Sequence, residues 1–182
     1  TAITYGDVNY PQNVMSSWSN DELATIAVYP AITDSTNYED PSYYINTNET
    51  FTYYDSVSVG GTTYTNTVVG AYGTATPQSL NDTTNDDGTV TLGLKSNAIT
   101  AQNQLAYSLL EPSDWYVVRK SENGTAIPAD WDSWRESIRT TYQEQVVAIN
   151  ACTTVPELQA LYAYTGDPAT RPLPDFPPQP SS

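Results

Sequence analysis

Between Ala129 and Ala151 the chain repeats bulky residues every three or four positions: Trp131, Trp134, Ile138, Tyr142, Gln145, Ile149 and, just beyond, Cys152. That spacing puts them on one face of an α-helix of about six turns. Shorter stretches around it carry the same period. Ala98, Gln102, Leu105, Ala106 and Leu109 share a face after Asn97, an expected N-cap, and Pro112 stops that helix. Ser113 is expected to cap a further short helix, with Asp114 at its positive end, Trp115, Val118 and Glu122 on one side, and Asn123-Gly124 as its stop. Thr154 and Glu157 have the spacing of a capping box before a last helix carrying Leu158, Leu161 and Tyr162.

Before Lys95 the period changes to two. Phe51–Tyr53, Val57–Val59 and Tyr64–Val69 are rich in β-branched and aromatic residues, and Gly60-Gly61 between two of these runs is a hairpin turn. Gly70 and Gly73 suggest a strand end or bulge, and Asp86-Asp87-Gly88 precedes a strand expected over Thr89–Leu94. The opening is rich in aromatic residues and turns. Ile3–Tyr5 is a strand candidate, and Ser19 with Glu22 forms a capping box for a short helix whose apolar face is Leu23, Ile26 and Ala27. Trp18 sits at the staple position, ready to pack on Leu23 or to dock a partner. The expected class is α+β. It comprises an N-terminal docking arm with a short helix (1–40), a small antiparallel β-hairpin sheet (41–95), a helical hairpin (96–164) and an extended Pro-rich tail (165–182) with six prolines.

Composition removes most catalytic classes. The chain has no histidine and one cysteine, so a Ser-His-Asp or Cys-His pair, an internal disulfide and a Cys/His metal site are all excluded. There is no phosphate loop, dinucleotide glycine pattern or Gly-x-Ser-x-Gly elbow. The acidic run Asn81–Gly88 fails as an EF-hand, because Thr83 and Leu94 occupy the first and last ligand positions; it reads as a solvated hairpin loop. Cys152 falls on the apolar rhythm and reads as a buried, inert thiol. The expectation is a non-enzyme without catalytic, metal or cofactor residues.

Net charge is −15, and no lysine or arginine precedes Lys95. Such a surface repels nucleic acid and anionic membranes, so neither is an expected partner. No apolar run reaches the length of a membrane span, and the polar opening has no signal-peptide pattern. A soluble protein made in the cytoplasm is expected.

The four Trp and fifteen Tyr suit either a core or contact surfaces. Trp115 therefore has two readings, a buried aromatic or an interface anchor. Arg119, four residues on, is either stacked at a helix junction or a contact residue. The stretch Ser113–Pro128 reads as a helix–helix corner tied by Arg119 and Glu122. The tail, with Arg171 and Phe176, is expected to be held by a partner or another copy.

Asp114-Trp-Tyr-Val-Val-Arg119-Lys-Ser-Glu122-Asn-Gly124-Thr-Ala-Ile-Pro128, followed by Trp134-Arg135 and Ile138-Arg139, resembles a helical module of small tail-fibre-associated and tail-assembly proteins of tailed bacteriophages, cyanophage type. The Arg135–Arg139 spacing matches that module, and the likeness covers roughly residues 105–150. Tyr10-Pro11-x-Asn13, Trp18 and Glu22-Leu23-x-x-Ile26 resemble the opening of the same proteins, with the Trp displaced. The resemblance implies a chaperone-like structural role at the tail fibre or baseplate, within the virion, and no catalytic residues. Its partners would be other tail or fibre proteins and further copies of the chain. The candidate partner-binding residues are Trp18, Trp115, Arg119, Glu122, Arg135, Arg139, Arg171 and Phe176. A capsid-decoration or neck protein and a carbohydrate-binding receptor module are the alternatives.

Overall fold

A computed structural model describes residues 3–180. The chain is mixed α and β and divides into two compact units at Thr76–Pro77.

The first unit opens with a small antiparallel hairpin, β1 (Ile3–Tyr5) and β2 (Val8–Tyr10), followed by the one-turn helices α1 (Val14–Ser17) and α2 (Asn20–Ala24). The capping box expected at α2 is present: the Ser19 side chain accepts from the Glu22 N–H, and the Glu22 carboxylate accepts from Ser19 N at 2.8 Å. Trp18 packs with Tyr10, Ile3 and Val28 around buried Val14, Leu23 and Ile26. Ala27, expected on that apolar face, is instead exposed with φ +56°. Val28 N reaches back to Leu23 O and Ala27 N to Ala24 O, the hydrogen-bond pair of a Schellman stop, which places Ala27 in the left-handed slot.

The sheet behind this opening is built on the hairpin β5 (Thr50–Val59) and β6 (Thr62–Ala71), turned at Gly60 and Gly61 with φ +59° and +82°. It is not purely antiparallel. β3 (Ala31–Asp34), inside the segment read as an arm, runs parallel to β6, giving the order β3-β6-β5. Parallel pairing needs a long crossover, and no local turn signal announces it. Gly70 lies inside β6, where a Cβ would come within 2.8 Å of Phe51 and closer still to Glu49. The short strands β4 (Tyr44–Ile45) and β7 (Thr76–Pro77) complete this part of the chain.

The second unit begins with a small hairpin, β8 (Thr83–Thr84) and β9 (Val90–Thr91). Its acidic loop closes on itself: Asp87 Oδ1 accepts from the Thr89 N–H at 2.9 Å and hydroxyl at 2.6 Å. The strand expected over Thr89–Leu94 is cut to two residues, because α3 (Leu94–Leu110) starts at Leu94 rather than after Asn97. Asp82 Oδ1 accepts from Gly93 N at 2.8 Å, while the Ser79 and Leu80 carbonyls take the N–H groups of Leu94 and Lys95. The preceding loop thus supplies the cap from a distance that a local signal does not reveal. Gly93 is required there, since a Cβ would lie 2.4 Å from the Asn81 backbone.

A 3-10 turn, Glu111–Ser113, leads into α4 (Asp114–Asn123), which stops at left-handed Gly124. Helix α5 (Ala129–Ala151) has the expected bounds, and Trp134, Ile138, Gln145 and Ile149 are buried along it. α3 and α6 (Val155–Tyr162) pack on α5. Ile138, Ile149 and Leu158 are fully buried, each stabilising the unit by about 1.5–3 kcal/mol. Buried Cys152 has its thiol pKa raised, first by that burial.

The segment after α6 is held by the chain itself, where the sequence suggested a partner. Leu173 is fully buried and its N–H donates to Leu161 O at 3.0 Å. Gln145 Nε2 donates to Pro174 O at 2.7 Å, and Trp134 Nε1 to Pro177 O at 3.1 Å. A proline-rich stretch forms no regular backbone ladder, and side-chain donors from α5 satisfy these carbonyls.

Candidate partner-docking surface

The corner between α3 and α4 is set by Arg135 of α5. Its side chain is buried, with the residue 4% exposed. Nη1 donates to Leu110 O at 2.9 Å and to the Ser113 hydroxyl; Nη2 pairs with Asp114 Oδ1 at 2.7 Å. Ser113 is fully buried and occupies the expected N-cap position of α4, but its hydroxyl donates to Leu110 O at 2.8 Å and makes no capping hydrogen bond. One guanidinium therefore satisfies the end of α3, the turn and the start of α4. This is the tie at the corner. Glu122 makes no ion pair among the described residues, so the expected Arg119–Glu122 link is replaced by Arg135–Asp114.

With its start fixed in this way, α4 buries none of its residues. Trp115 is 52% exposed rather than buried in the core, and Val117 and Val118 are exposed beside it in sequence. The Trp115 and Tyr116 rings stack at 3.9 Å and 27°. Arg119 lies over both, with Cζ 4.8 Å from the Trp115 centroid and 5.1 Å from that of Tyr116. Its Nη2 donates to Ala126 O at 3.3 Å, while Nε has no hydrogen-bond partner. A ladder of rings continues inward: Tyr116 to Trp131 at 5.5 Å, then Trp131 to buried Trp134 at 5.6 Å and 81°. An exposed aromatic such as Trp115, braced through a ladder of rings to a core Trp, loses little entropy on contact, and Trp, Tyr and Arg dominate interface hot spots.

The remaining candidates are dispersed. Arg139 is exposed and Arg135 buried, so the two arginines of the shared spacing do different work. Trp18 belongs to the apolar cluster of the first unit. Phe176 packs on Ala106, Trp134 and Ile138. Arg171 pairs with Asp175 at 2.5 Å and lies over Tyr164 at 5.3 Å and Tyr162 at 5.9 Å. Tyr162 has its pKa raised, first by burial. Arg171 and Phe176 are thus engaged within the chain. Tyr116 and Trp131 were not singled out as contact residues in the sequence, although adjacent Trp115-Tyr116 was a visible signal.

An open polar concavity of ≈ 400 Å³ lies at the tip of the sheet, lined by residues that include Asp34, Thr36, Gly60 and Tyr64. Asp34 already accepts from Thr36 N at 3.0 Å and its hydroxyl at 2.6 Å, which lowers its pKa. Among the described residues no group of three or more Cys, Asp or Glu side chains is arranged to hold a metal ion. Among the described residues no helix is long and apolar enough to cross a membrane. No protein-family model matches the chain, and neither a curated protein nor a solved structure shows significant similarity to it.

Proposed function

We propose that this chain is a non-enzymatic structural or assembly protein of a tailed bacteriophage, docking on or chaperoning the tail fibre or baseplate and staying in the virion. The observation that carries the docking role is Trp115, 52% exposed and stacked on half-buried Tyr116 with Arg119 over both rings, beside exposed Val117 and Val118. The resemblance of residues 105–150 to tail-assembly proteins supplies the particle. In this reading α4 is the contact helix, with the Trp115 ring filling a partner pocket and Arg119 holding that ring in place. The acidic surface keeps copies soluble before assembly.

Cross-linking mass spectrometry on purified particles tests the location. Links from Lys120 to fibre or baseplate proteins support the assignment; links confined to capsid protein would transfer it to capsid decoration. Trp115→Ala tests the surface: it should abolish incorporation into particles with the melting temperature unchanged. Incorporation at the normal level would remove α4 from the interface.

A further inference from the structure

Strand β5 lies at one end of the three-stranded sheet, and its outer edge has no partner strand among the described residues. Proteins usually blunt such edges with lysine or proline. β5 contains neither, and every residue from Thr50 to Ser56 is exposed. Strand alternation places Phe51, Tyr53 and Asp55 on one face of β5, and Glu49, the residue before the strand, lies with Phe51 over Gly70, giving the order acid, aromatic, aromatic, acid. Phe51 is 64% exposed. Tyr53 is braced by the Tyr29 ring at 4.4 Å, and its hydroxyl lies 3.0 Å from both Asp55 Oδ1 and Asn66 Oδ1. At the foot of the strand Glu49 Oε1 is buried with no hydrogen-bond donor. No lysine or arginine occurs anywhere in residues 1–94 to neutralise these carboxylates.

Pairing two copies of this edge would set carboxylates from chains that are locally all-acidic against one another, which opposes a homotypic contact. We infer that the outer edge of β5 accepts an extended, lysine- or arginine-bearing segment of another protein as a fourth strand. Its basic side chains lie toward Glu49 and Asp55, and its apolar ones over Phe51 and Tyr53. The carboxylates stand six residues apart, a span of about 20 Å along a strand, so the recognised segment carries two bases at that separation. Backbone hydrogen bonds supply the affinity and the charges choose the partner. This strand belongs to the first unit, and the inference does not depend on the role proposed for α4.

The test uses the full chain, 15N-labelled, titrated with an acetylated, amidated nonapeptide Thr-Lys-Thr-Val-Thr-Val-Thr-Lys-Thr, whose palindromic pattern suits either strand direction. Amide shifts confined to β5 and its neighbour β6 are expected, lost when glutamate replaces both lysines. Asp55→Asn keeps an acceptor for Tyr53 and should weaken binding about tenfold. Asp55→Lys should shift the preference toward the glutamate peptide, with circular dichroism verifying its fold. Absence of binding, equal binding of both peptides, or shifts outside the sheet would overturn the inference. Concentration-dependent self-association through β5 would overturn it in favour of a second copy.

Discussion

Arg135 and Arg139 sit one turn apart on α5, yet one is enclosed by Leu110, Ser113 and Asp114 while the other faces solvent. Removing the enclosed guanidinium leaves the Leu110 carbonyl with one donor fewer and Asp114 without its cation. Arg135→Met should therefore lower unfolding free energy by about 3 kcal/mol in urea titration, whereas Arg139→Met should change it by less than about 0.5 kcal/mol. Equal effects would mean that the corner is held by packing alone. At Ala27 the left-handed backbone is borne by a residue with a Cβ. Ala27→Gly relieves that clash and should raise stability by about 1 kcal/mol, measured as a higher urea midpoint at constant slope.

At the scale of the element, two capping boxes start α2 and α6 with the same chemistry. The Glu157 carboxylate accepts from Thr153 N at 2.6 Å and Thr154 N at 3.2 Å, and its pKa is lowered, first by the Thr153 backbone bond. Glu22 is lowered in the same direction by Ser19. A depressed carboxylate contributes stability that is present above its unfolded value and is lost as pH falls through the lower folded value. Glu157→Gln should accordingly flatten the acid side of the melting-temperature curve, below the ordinary glutamate range, and leave the neutral side parallel to the wild type. Thr154→Ala removes the reciprocal acceptor and should cost about 1 kcal/mol at neutral pH. The helix least secured by burial is α4, which is tied at its start by Asp114 and stopped by Gly124. Its ends and the Tyr116–Trp131 contact on one side hold it in place, which leaves Trp115, Val117 and Val118 exposed.

At the scale of the whole molecule, the tail completes the core of the second unit. Leu173, Phe176 and the carbonyls of Pro174 and Pro177 are bound by side chains and backbone of α5 and α6. Leu173→Asp should detach the segment. Hydrogen exchange at the residue-173 amide would then rise toward the unstructured rate, and Trp emission would shift to the red as Trp134 loses its cover. Continued protection of that amide would show that the proline carbonyls, rather than Leu173, secure the tail.

Much of this architecture was legible locally. The three-and-four rhythm delimits α5, glycines place the Gly60-Gly61 turn and the Gly124 stop, and Ser19–Glu22 and Thr154–Glu157 write their own caps. Each rests on interactions within about five residues, where spacing alone fixes geometry. Contacts between distant segments were not legible. The parallel pairing of β3 with β6, the cap that Ser79–Asp82 lends to α3, and the docking of Leu173 on α6 each join segments that no periodicity links. The same holds for the candidate surface: the sequence singled out Trp115 and Arg119 without fixing whether they lie inside or outside. By itself the sequence determined an acidic α+β chain, the extent of its longest helix and the lack of histidine chemistry. Tertiary structure alone decided which arginine is buried, which tryptophan faces solvent and what holds the tail, because burial depends on which distant surfaces come to cover a residue.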